Sequence, residues 1–203
     1  SLEEQFYTNG VQPYFRAPHI YIGLPKRFAP FRRKFPELTW GGLSEACFVT
    51  SRDGKNWKRW PEAFIRPGLD EKNWVDRNTM PAAGIIQTSP EEISLFWTEH
   101  YRQDDCRLRR GTLRTDGFVS VTAGYTGGEF VTRPLMFEGR QLVINFSTSV
   151  IGSIQVEVQH ERGSHIEGLG LADCPIICDD EIEHVVKWKN VRDLSALAGQ
   201  PVK

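Results

Sequence analysis

The segment Ser51-Arg-Asp-Gly-Lys-Asn-Trp57 lies between two runs of strand-like sequence. The run before it contains Ala46, Phe48 and Val49, an apolar pattern typical of a half-buried strand. Asp53 tolerates turn backbone and accepts hydrogen bonds from the amides that follow it, and Gly54 adopts positive φ without steric cost. The segment therefore predicts a β-hairpin whose outgoing strand begins at Trp57.

Composition favours a chain of short strands. The 203 residues include 11% aromatic residues, 18 Gly and 12 Pro, which suits aromatic-rich strands separated by turns and leaves little room for long helices. Lys and Arg total 25 against 26 acidic residues, so no overall field favours nucleic acid as a partner. No apolar run approaches the roughly 18 residues of a membrane helix, and no signal-peptide pattern opens the chain. We therefore expect an all-β protein with neither nucleic-acid nor membrane partners.

The cysteines do not have the spacing of a metal site. Cys47, Cys106, Cys174 and Cys178 favour structural or free thiols over zinc ligands, and a disulfide between Cys174 and Cys178 is the open alternative. The Gly-rich stretch 124–128 lacks the strand-to-helix context of a phosphate loop. We expect no metal and no cofactor.

Residues 1–114 are predicted to form a partial β-propeller of about two blades, each a meander of about four short strands. Residues 25–42 and 66–78 are predicted as long loops, a class that is often functional. Besides the hairpin, strands are predicted at residues 20–23, 80–86, 93–98 and 106–113.

Residues 115–203 are predicted to form an antiparallel β-sandwich, since short strand-like segments alternate there with Gly-rich or charged turns. Alternation places Ile154, Val156 and Val158 on one buried face. A helical turn over 193–199 is expected to end at Gly199. The predicted strands are residues 118–121, 129–132, 141–146, 152–159 and 185–188.

Several motifs resemble known carbohydrate-active proteins. The spacing Ser-x-Asp-Gly-x-x-Trp resembles the Asp-box turn of sialidase-like propellers, where its role is structural. Residues 113–128, the Gly-Ser-x-x-Val-Glu-Val strand, Leu171-Ala-Asp-Cys and Asp193-Leu-Ser-Ala-Leu-Ala-Gly are together similar to the C-terminal part of bacterial proteins related to glycoside hydrolase families 32 and 43. Those enzymes, of the invertase, levanase and arabinanase clan, pair a five-bladed β-propeller with a β-sandwich.

The resemblance implies a carbohydrate partner and favours an extracellular or periplasmic bacterial protein. The family's Asn-Asp-Pro-Asn-type nucleophile and Arg-Asp-Pro element are not found, Asp76-Arg77 has the reverse order, and Glu45-Ala-Cys47 has one residue more than the acid-bearing Glu-Cys pair. The chain also opens with Ser1-Leu2, without Met, which predicts a longer protein on that side. We expect the chain alone to be inactive in hydrolysis.

Three carboxylates at or near strand ends, Glu45, Asp76 and Glu99, are the candidate catalytic residues. Glycosidic cleavage needs two carboxyl groups about 5 to 9.5 Å apart. If the sugar cleft of the related enzymes persists, these carboxylates should converge on one concave surface together with Arg16, His19 and Arg77. At least two of the carboxylates would then lie within that separation, and like-charge repulsion would raise the pKa of one. The alternative is that each is an ordinary solvated or ion-paired side chain.

Other side chains are candidates for contact with a sugar. Polar and charged side chains near the same strand ends are the candidate substrate-binding residues: Arg16, His19, Arg77, His100 and Tyr101. Aromatic side chains could stack on sugar faces or, alternatively, belong to the core: Tyr14, Trp40, Trp74 and Tyr101.

Two functions remain open from the sequence. The first is a carbohydrate-active protein related to propeller glycoside hydrolases, and the second is a non-catalytic carbohydrate-binding or structural module. A propeller of about two blades cannot close, so exposed strand edges are expected to produce a homo-oligomer.

Overall fold

The computed structural model describes residues 3–191 and 193–203 and has the predicted all-β class, with antiparallel sheets. The helical segments in this part of the chain are three short 3-10 turns, Glu71–Asn73, Leu171–Asp173 and Ser195–Leu197. None of the described helical segments has the length and apolar character needed to cross a bilayer. The chain divides into two compact units, Ser1–Leu113 and Arg114–Lys203. Their assignment as propeller and sandwich stays a prediction.

The first unit contains a six-stranded sheet organised on its fifth strand. Its strands are β1 (Gln5–Phe6), β2 (Gln12–Tyr14), β3 (Ala17–Gly23), β4 (Lys26–Ala29), β5 (Leu43–Ser51) and β6 (Trp57–Ile65). Strand β6 pairs with one edge of β5, and β4 and β3 pair with successive parts of the other edge in the same register. Likewise β2 pairs with β3 and β1 with β4. The sheet therefore has the order of a four-stranded antiparallel meander in which the first strand (β1 and β2) and the second strand (β3 and β4) are each interrupted.

The two interruptions have local causes. Between β3 and β4 lies Leu24-Pro25, where the Pro25 carbonyl still accepts a hydrogen bond from the Cys47 amide at 3.0 Å. Between β1 and β2 the register changes at Gly10, which has a φ of 51°. The loop predicted at 25–42 is wrong in its first part, because residues 26–29 form β4. Pairing with β5 outweighs the Pro and charge content of that stretch.

Alternation gives the two faces of this sheet different environments. Ile22, Leu24 and Lys26 are buried on the face that also carries Phe28. Phe28 is paired with Ser44, whose hydroxyl donates to the Asn78 carbonyl at 2.9 Å, so residues 75–79 cover this face.

The β5–β6 hairpin is confirmed at the predicted place, and its turn is held by side chains. The Ser51 hydroxyl accepts from the Gly54 amide at 2.9 Å and donates to the Asn56 carbonyl at 2.7 Å. Asp53 accepts from the backbone amides of Lys55 at 2.9 Å and Asn56 at 2.7 Å. Gly54 has a φ of 70°, which explains the glycine. The likeness to an Asp-box stays a resemblance of spacing.

Replacing Asp53 with Ala is expected to loosen this turn. The amide and side chain of Asn56, followed by the amide of Lys55, hydrogen-bond the carboxylate and hold the pKa of Asp53 below its ordinary value. The stabilisation is fully present above the unfolded-state pKa of about 3.9 and is lost as the pH falls through the lower folded-state pKa. Hydrogen exchange should show faster exchange of the Lys55 and Asn56 amides in Asp53→Ala.

The matched control is Asp53→Asn, which keeps a side-chain oxygen as acceptor and should retain part of the protection. Unchanged exchange in Asp53→Ala at neutral pH would contradict this account of the turn.

The second sheet of this unit contains β7 (Ile86–Ser89), β8 (Glu92–Glu99) and β9 (Arg107–Arg114) in that order. The strand predicted at 106–113 is confirmed within one residue. A hairpin forms where one was predicted around residues 87–92, but its turn is shorter than predicted. Gln87 and Ser89 pair with β8, so the turn is confined to Pro90-Glu91. Thr88 and Ser94 hydroxyls are 3.0 Å apart, so polar side chains in β7 are accommodated by the neighbouring strand.

The second unit has one two-stranded sheet, β10 (Val143–Ser147) with β11 (Asp180–Val185), and several isolated β-bridges. Its core contains Val158, with Ile154 and Val156 packed against it, as the alternation predicted. Residues 118–121 and 129–132 are not strands, and residues 119–136 are exposed throughout. Val119, Val121, Phe130 and Val131 are exposed, and no strand of the described chain pairs with these segments, so the strand-like pattern was misleading. The turn near 193–199 is confirmed as Ser195–Leu197, with Gly199 at a φ of 75°.

Candidate functional site

Asp76 is buried and fully engaged by a guanidinium. Its two carboxylate oxygens accept from Nε and Nη2 of Arg102 at 2.9 and 2.8 Å. The Nε atom of Arg77 lies farther away, 3.8 Å from Oδ2. A bidentate pair of this kind fixes the orientation of the carboxylate.

Glu99, at the end of β8, is also buried and pairs with two arginines of the neighbouring strand β9. Nε of Arg107 and Nε of Arg109 donate to its two oxygens at 3.1 and 3.2 Å. Burial acts to raise the pKa of Glu99, but the hydrogen bonds from Arg109 and Arg107 outweigh it and hold the pKa below its ordinary value. The predicted rise in pKa is therefore wrong for Glu99, because its neighbours are cations instead of a second carboxylate.

Glu45 lies on the other face of the first sheet. It is paired across β4 with Arg27, whose Nε donates to Oε1 at 2.8 Å, whereas the adjacent Ser44 contacts the 75–79 segment. Successive residues of a strand point to opposite faces. The structure therefore does not bring Glu45 together with Asp76, and the expected convergence of the three carboxylates is wrong.

His100 is buried between two aspartates. Its Nε2 lies 2.8 Å from Oδ2 of Asp70, and its Nδ1 lies 2.9 Å from Oδ2 of Asp105. The hydrogen bond to His100 is the largest cause that holds the pKa of each aspartate below its ordinary value. Both ring nitrogens are thus occupied, so His100 joins the 66–78 loop to the segment after β8 and is not available to a sugar hydroxyl.

Arg16 and His19 lie in the β2–β3 hairpin, where both are exposed. The hydrogen bonds to Asp76 and Glu99 come instead from arginines at positions 102, 107 and 109. Arg16 and His19 are therefore not the residues that orient these carboxylates, contrary to the grouping predicted from the sequence.

A different cluster forms around Lys26. Its ammonium lies 4.0 Å from the ring centroid of Tyr7, although the residue is only 2% exposed. Burial lowers the pKa of Lys26, the nearby charge of Arg77 lowers it further, and Asp76 opposes them. This agrees with the pairing of β4 with β5, which places Lys26 on the sheet face that residues 75–79 cover.

Contacts continue from there across several aromatic rings. The Arg77 guanidinium donates to the Tyr101 hydroxyl at 2.9 Å and lies 5.5 Å from that ring centroid. Arg102 lies 4.1 Å from the ring centroid of Trp40. We refer to this group as the aromatic–cation surface and define it as Tyr7, Lys26, Trp40, Asp76, Arg77, Tyr101 and Arg102.

Aromatic exposure within this surface suits contact with a ligand. Tyr7 is 65% exposed and Trp40 is 43% exposed, and Trp40 and Trp74 line one shallow depression together with Asp76. Tyr14, by contrast, is buried. For Tyr14 the alternative holds, since it belongs to the core, and its ring centroid lies 4.8 Å from that of Phe15.

The backbone beneath the aromatic–cation surface is unusual. Arg77 and Thr79 have positive φ values of 60° and 48°, in a backbone region that residues other than glycine rarely adopt. Between them, the fully buried Asn78 donates to Asn73 at 2.9 Å and accepts from the Tyr101 amide at 2.8 Å. Such strain persists only where surrounding contacts impose it, and it concentrates at functional sites.

Four members of this surface were candidates from the sequence: Trp40, Asp76, Arg77 and Tyr101. Sequence reasoning missed Tyr7, Lys26 and Arg102. A signal for Lys26 was present in the row of alternate residues Ile20, Ile22, Leu24, Lys26 and Phe28. One charged residue in a row of apolar positions on one strand face indicates a buried cation. No comparable pattern marks Arg102.

The described residues contain no group of three or more His, Cys, Asp or Glu side chains arranged to hold a metal ion. All four cysteines are free thiols, so the alternative disulfide between Cys174 and Cys178 is not formed.

Comparison of the chain with models of protein families, with curated proteins and with solved structures gives no match. The resemblance to propeller glycoside hydrolases therefore stays a prediction that rests on the motifs quoted above.

Proposed function

We propose that this chain binds carbohydrate through the aromatic–cation surface and does not itself cleave glycosidic bonds. The observation that carries the proposal is the placement of exposed aromatic rings beside cations: Tyr7 lies 4.0 Å from the Lys26 ammonium. Trp40 lies 4.1 Å from Arg102, and the nearby guanidinium of Arg77 is held by Tyr101. Aromatic faces pack against the apolar C–H faces of sugar rings, and guanidinium N–H groups donate to sugar oxygens.

The state of the carboxylates supports binding over hydrolysis. A glycosidase acid must be protonated at working pH, which requires a raised pKa. Glu99 has a lowered pKa and Asp76 is occupied by Arg102, so neither is placed to donate a proton to a glycosidic oxygen.

The strand order of the first unit supports a scaffold of propeller type. A propeller blade is a four-stranded antiparallel meander. The sheet of β1 to β6 has that order when β1 with β2, and β3 with β4, are each counted as one strand. On this proposal the blade positions the surface, and the rest of a sugar cleft would be supplied by neighbouring blades.

Replacing Trp40 with Ala is expected to weaken binding to soluble polysaccharides. Affinity electrophoresis would show which of levan, inulin, arabinan and xylan retard the protein. Calorimetry with those polysaccharides would then measure the binding affinity of the wild type and the variant. Loss of one stacking ring should weaken binding about tenfold. Trp57→Ala is the matched control, because Trp57 has similar exposure but lies at the β5–β6 turn.

An equal loss in the Trp57 variant, or no retardation of the wild-type chain by any polysaccharide, would contradict the proposal. Aryl glycosides should not be hydrolysed by the wild-type chain. Turnover that disappears in Glu99→Gln would restore the catalytic alternative.

A further inference from the structure

We propose that Lys26 and Arg77 form a subsite for the carboxylate of an acidic sugar such as a hexuronate. This inference rests on the proposed carbohydrate binding and names the class of sugar that the surface would select.

The first argument is the lack of a counterion for Lys26. Its side chain is almost wholly buried, yet the ammonium makes no hydrogen bond or ion pair with any residue in 3–191 or 193–203. Its contacts are with ring faces, at 4.0 Å for Tyr7 and 5.6 Å for Phe28. Ring faces compensate only part of the cost of removing an ammonium from water, so an anion beside Lys26 would be stabilised.

Asp76 does not serve as that counterion. Both of its oxygens are taken by Arg102 in a bidentate pair, which is neutral as a unit. Lys26 and Arg77 then remain as two cations in excess. The positive charge of Arg77 acts against the protonated form of Lys26, so an anion near both cations would reduce their repulsion.

Arg77 retains donors for a ligand. Its Nη1 binds the Tyr101 hydroxyl, its Nε is 3.8 Å from Asp76, and its Nη2 has no hydrogen-bond partner within the described chain. The side chain is 47% exposed, while its backbone is held in the left-handed region. The guanidinium is therefore positioned before a ligand arrives, as selective binding of a planar carboxylate requires.

The surroundings favour an acidic sugar over a free anion or a polyanion. The exposed Tyr7 ring stacks on the same ammonium and so places an apolar sugar-binding face beside the charge. A carboxylate attached to a sugar ring would satisfy both groups at once. The guanidinium and ammonium groups can together bind a single carboxylate. The chain as a whole has a net charge of −1, so its overall electrostatic field does not attract a polyanion.

The test is an NMR titration of the whole chain with ¹³C-labelled lysine, following the Cε resonance of Lys26. The probes are D-glucuronate, D-glucose, acetate and inorganic sulfate. We expect glucuronate to shift the Lys26 resonance and to bind at least about tenfold more tightly than each of the other three. Lys26→Met and Arg77→Asn should each remove that preference.

The variants are chosen to keep the fold. Met matches the length of the lysine stem in a buried site, and Asn is among the few residues that tolerate the positive φ at position 77. Lys58→Met is the matched control, because Lys58 also lies 4.0 Å from an aromatic ring, that of Trp60, but on the exposed strand β6. It should leave the glucuronate preference unchanged.

The outcomes separate this inference from the function on which it rests. Equal binding of glucose and glucuronate would overturn the acidic subsite while leaving carbohydrate binding intact. Acetate or sulfate binding as tightly as glucuronate would also overturn it, since the sugar ring would contribute nothing. If no saccharide binds and the polysaccharides also fail to retard the chain, both proposals are wrong.

Discussion

Glu99→Gln is expected to lower the free energy of unfolding by about 2 kcal/mol, since the buried carboxylate loses its charge-assisted hydrogen bonds from two half-exposed arginines. Glu99 is buried and accepts from both Arg107 and Arg109. Glutamine keeps an oxygen acceptor but loses the charge that holds two guanidinium groups at the β8–β9 edge. Urea denaturation followed by circular dichroism would measure the loss.

The control on the same strand is Glu92→Gln. Glu92 pairs with Arg110 in a more exposed position, so its removal should cost less than about 1 kcal/mol. Equal losses in the two variants would show that burial of Glu99 does not govern the effect.

The pH dependence follows from the lowered pKa of Glu99. Its contribution is fully present above the unfolded-state pKa of about 4.3 and is lost as the pH falls through the lower folded-state pKa. The difference between the wild type and Glu99→Gln should therefore shrink only in acid. A difference that grows as the pH falls would have the wrong sign for an ion-paired carboxylate.

Trp188→Ala is expected to cost about 3 to 5 kcal/mol of stability in the second unit, the usual loss for a buried tryptophan. Trp188 is 5% exposed and belongs to the core with Phe146, Val158 and Val186. Its indole N–H also donates to the Val156 carbonyl at 3.0 Å. Hydrogen exchange of the Val158 and Val186 amides would follow this unit separately from the first.

Leu171→Ala is the control within that unit, because Leu171 is largely exposed and should change stability by no more than about 0.5 kcal/mol. A loss below about 1 kcal/mol in Trp188→Ala would mean that this tryptophan does not hold the core together.

Features with a local cause could be predicted from the sequence. The hairpin at Ser51–Trp57 follows from Asp53 and Gly54, whose preferences act within a few residues. The placement of Val158 in the core, with Ile154 and Val156 partly buried against it, follows from the alternating pattern. All-β class follows from composition, because aromatic and turn residues recur too often for long helices.

Features that depend on distant partners could not be predicted. The strand β4 forms in a Pro-rich, basic stretch because β5 offers an edge in register. Conversely, residues 118–121 and 129–132 have strand-like composition but no neighbouring strand among the described residues.

The partners of the candidate carboxylates could not be predicted for the same reason. A carboxylate at a strand end is visible in the sequence, but whether it faces a second carboxylate or an arginine depends on which side chains reach it. For Glu99 these come from positions 8 and 10 residues later, across the adjacent strand. Because these arginines bind it, Glu99 is part of an ion pair and is not a candidate general acid.

The common register of β3 and β4 on β5 also limits where the chain can accept an added residue. An insertion within β5 would shift all later pairings by one position and move each following side chain to the opposite face. Ser44 would then lose its contact with Asn78, or the β5–β6 turn would lose its partner strand. Insertions into residues 30–39, between β4 and Trp40, leave the register of both strands unchanged. The chain can therefore grow at that loop without disturbing Lys26, but not along the strand that the loop enters.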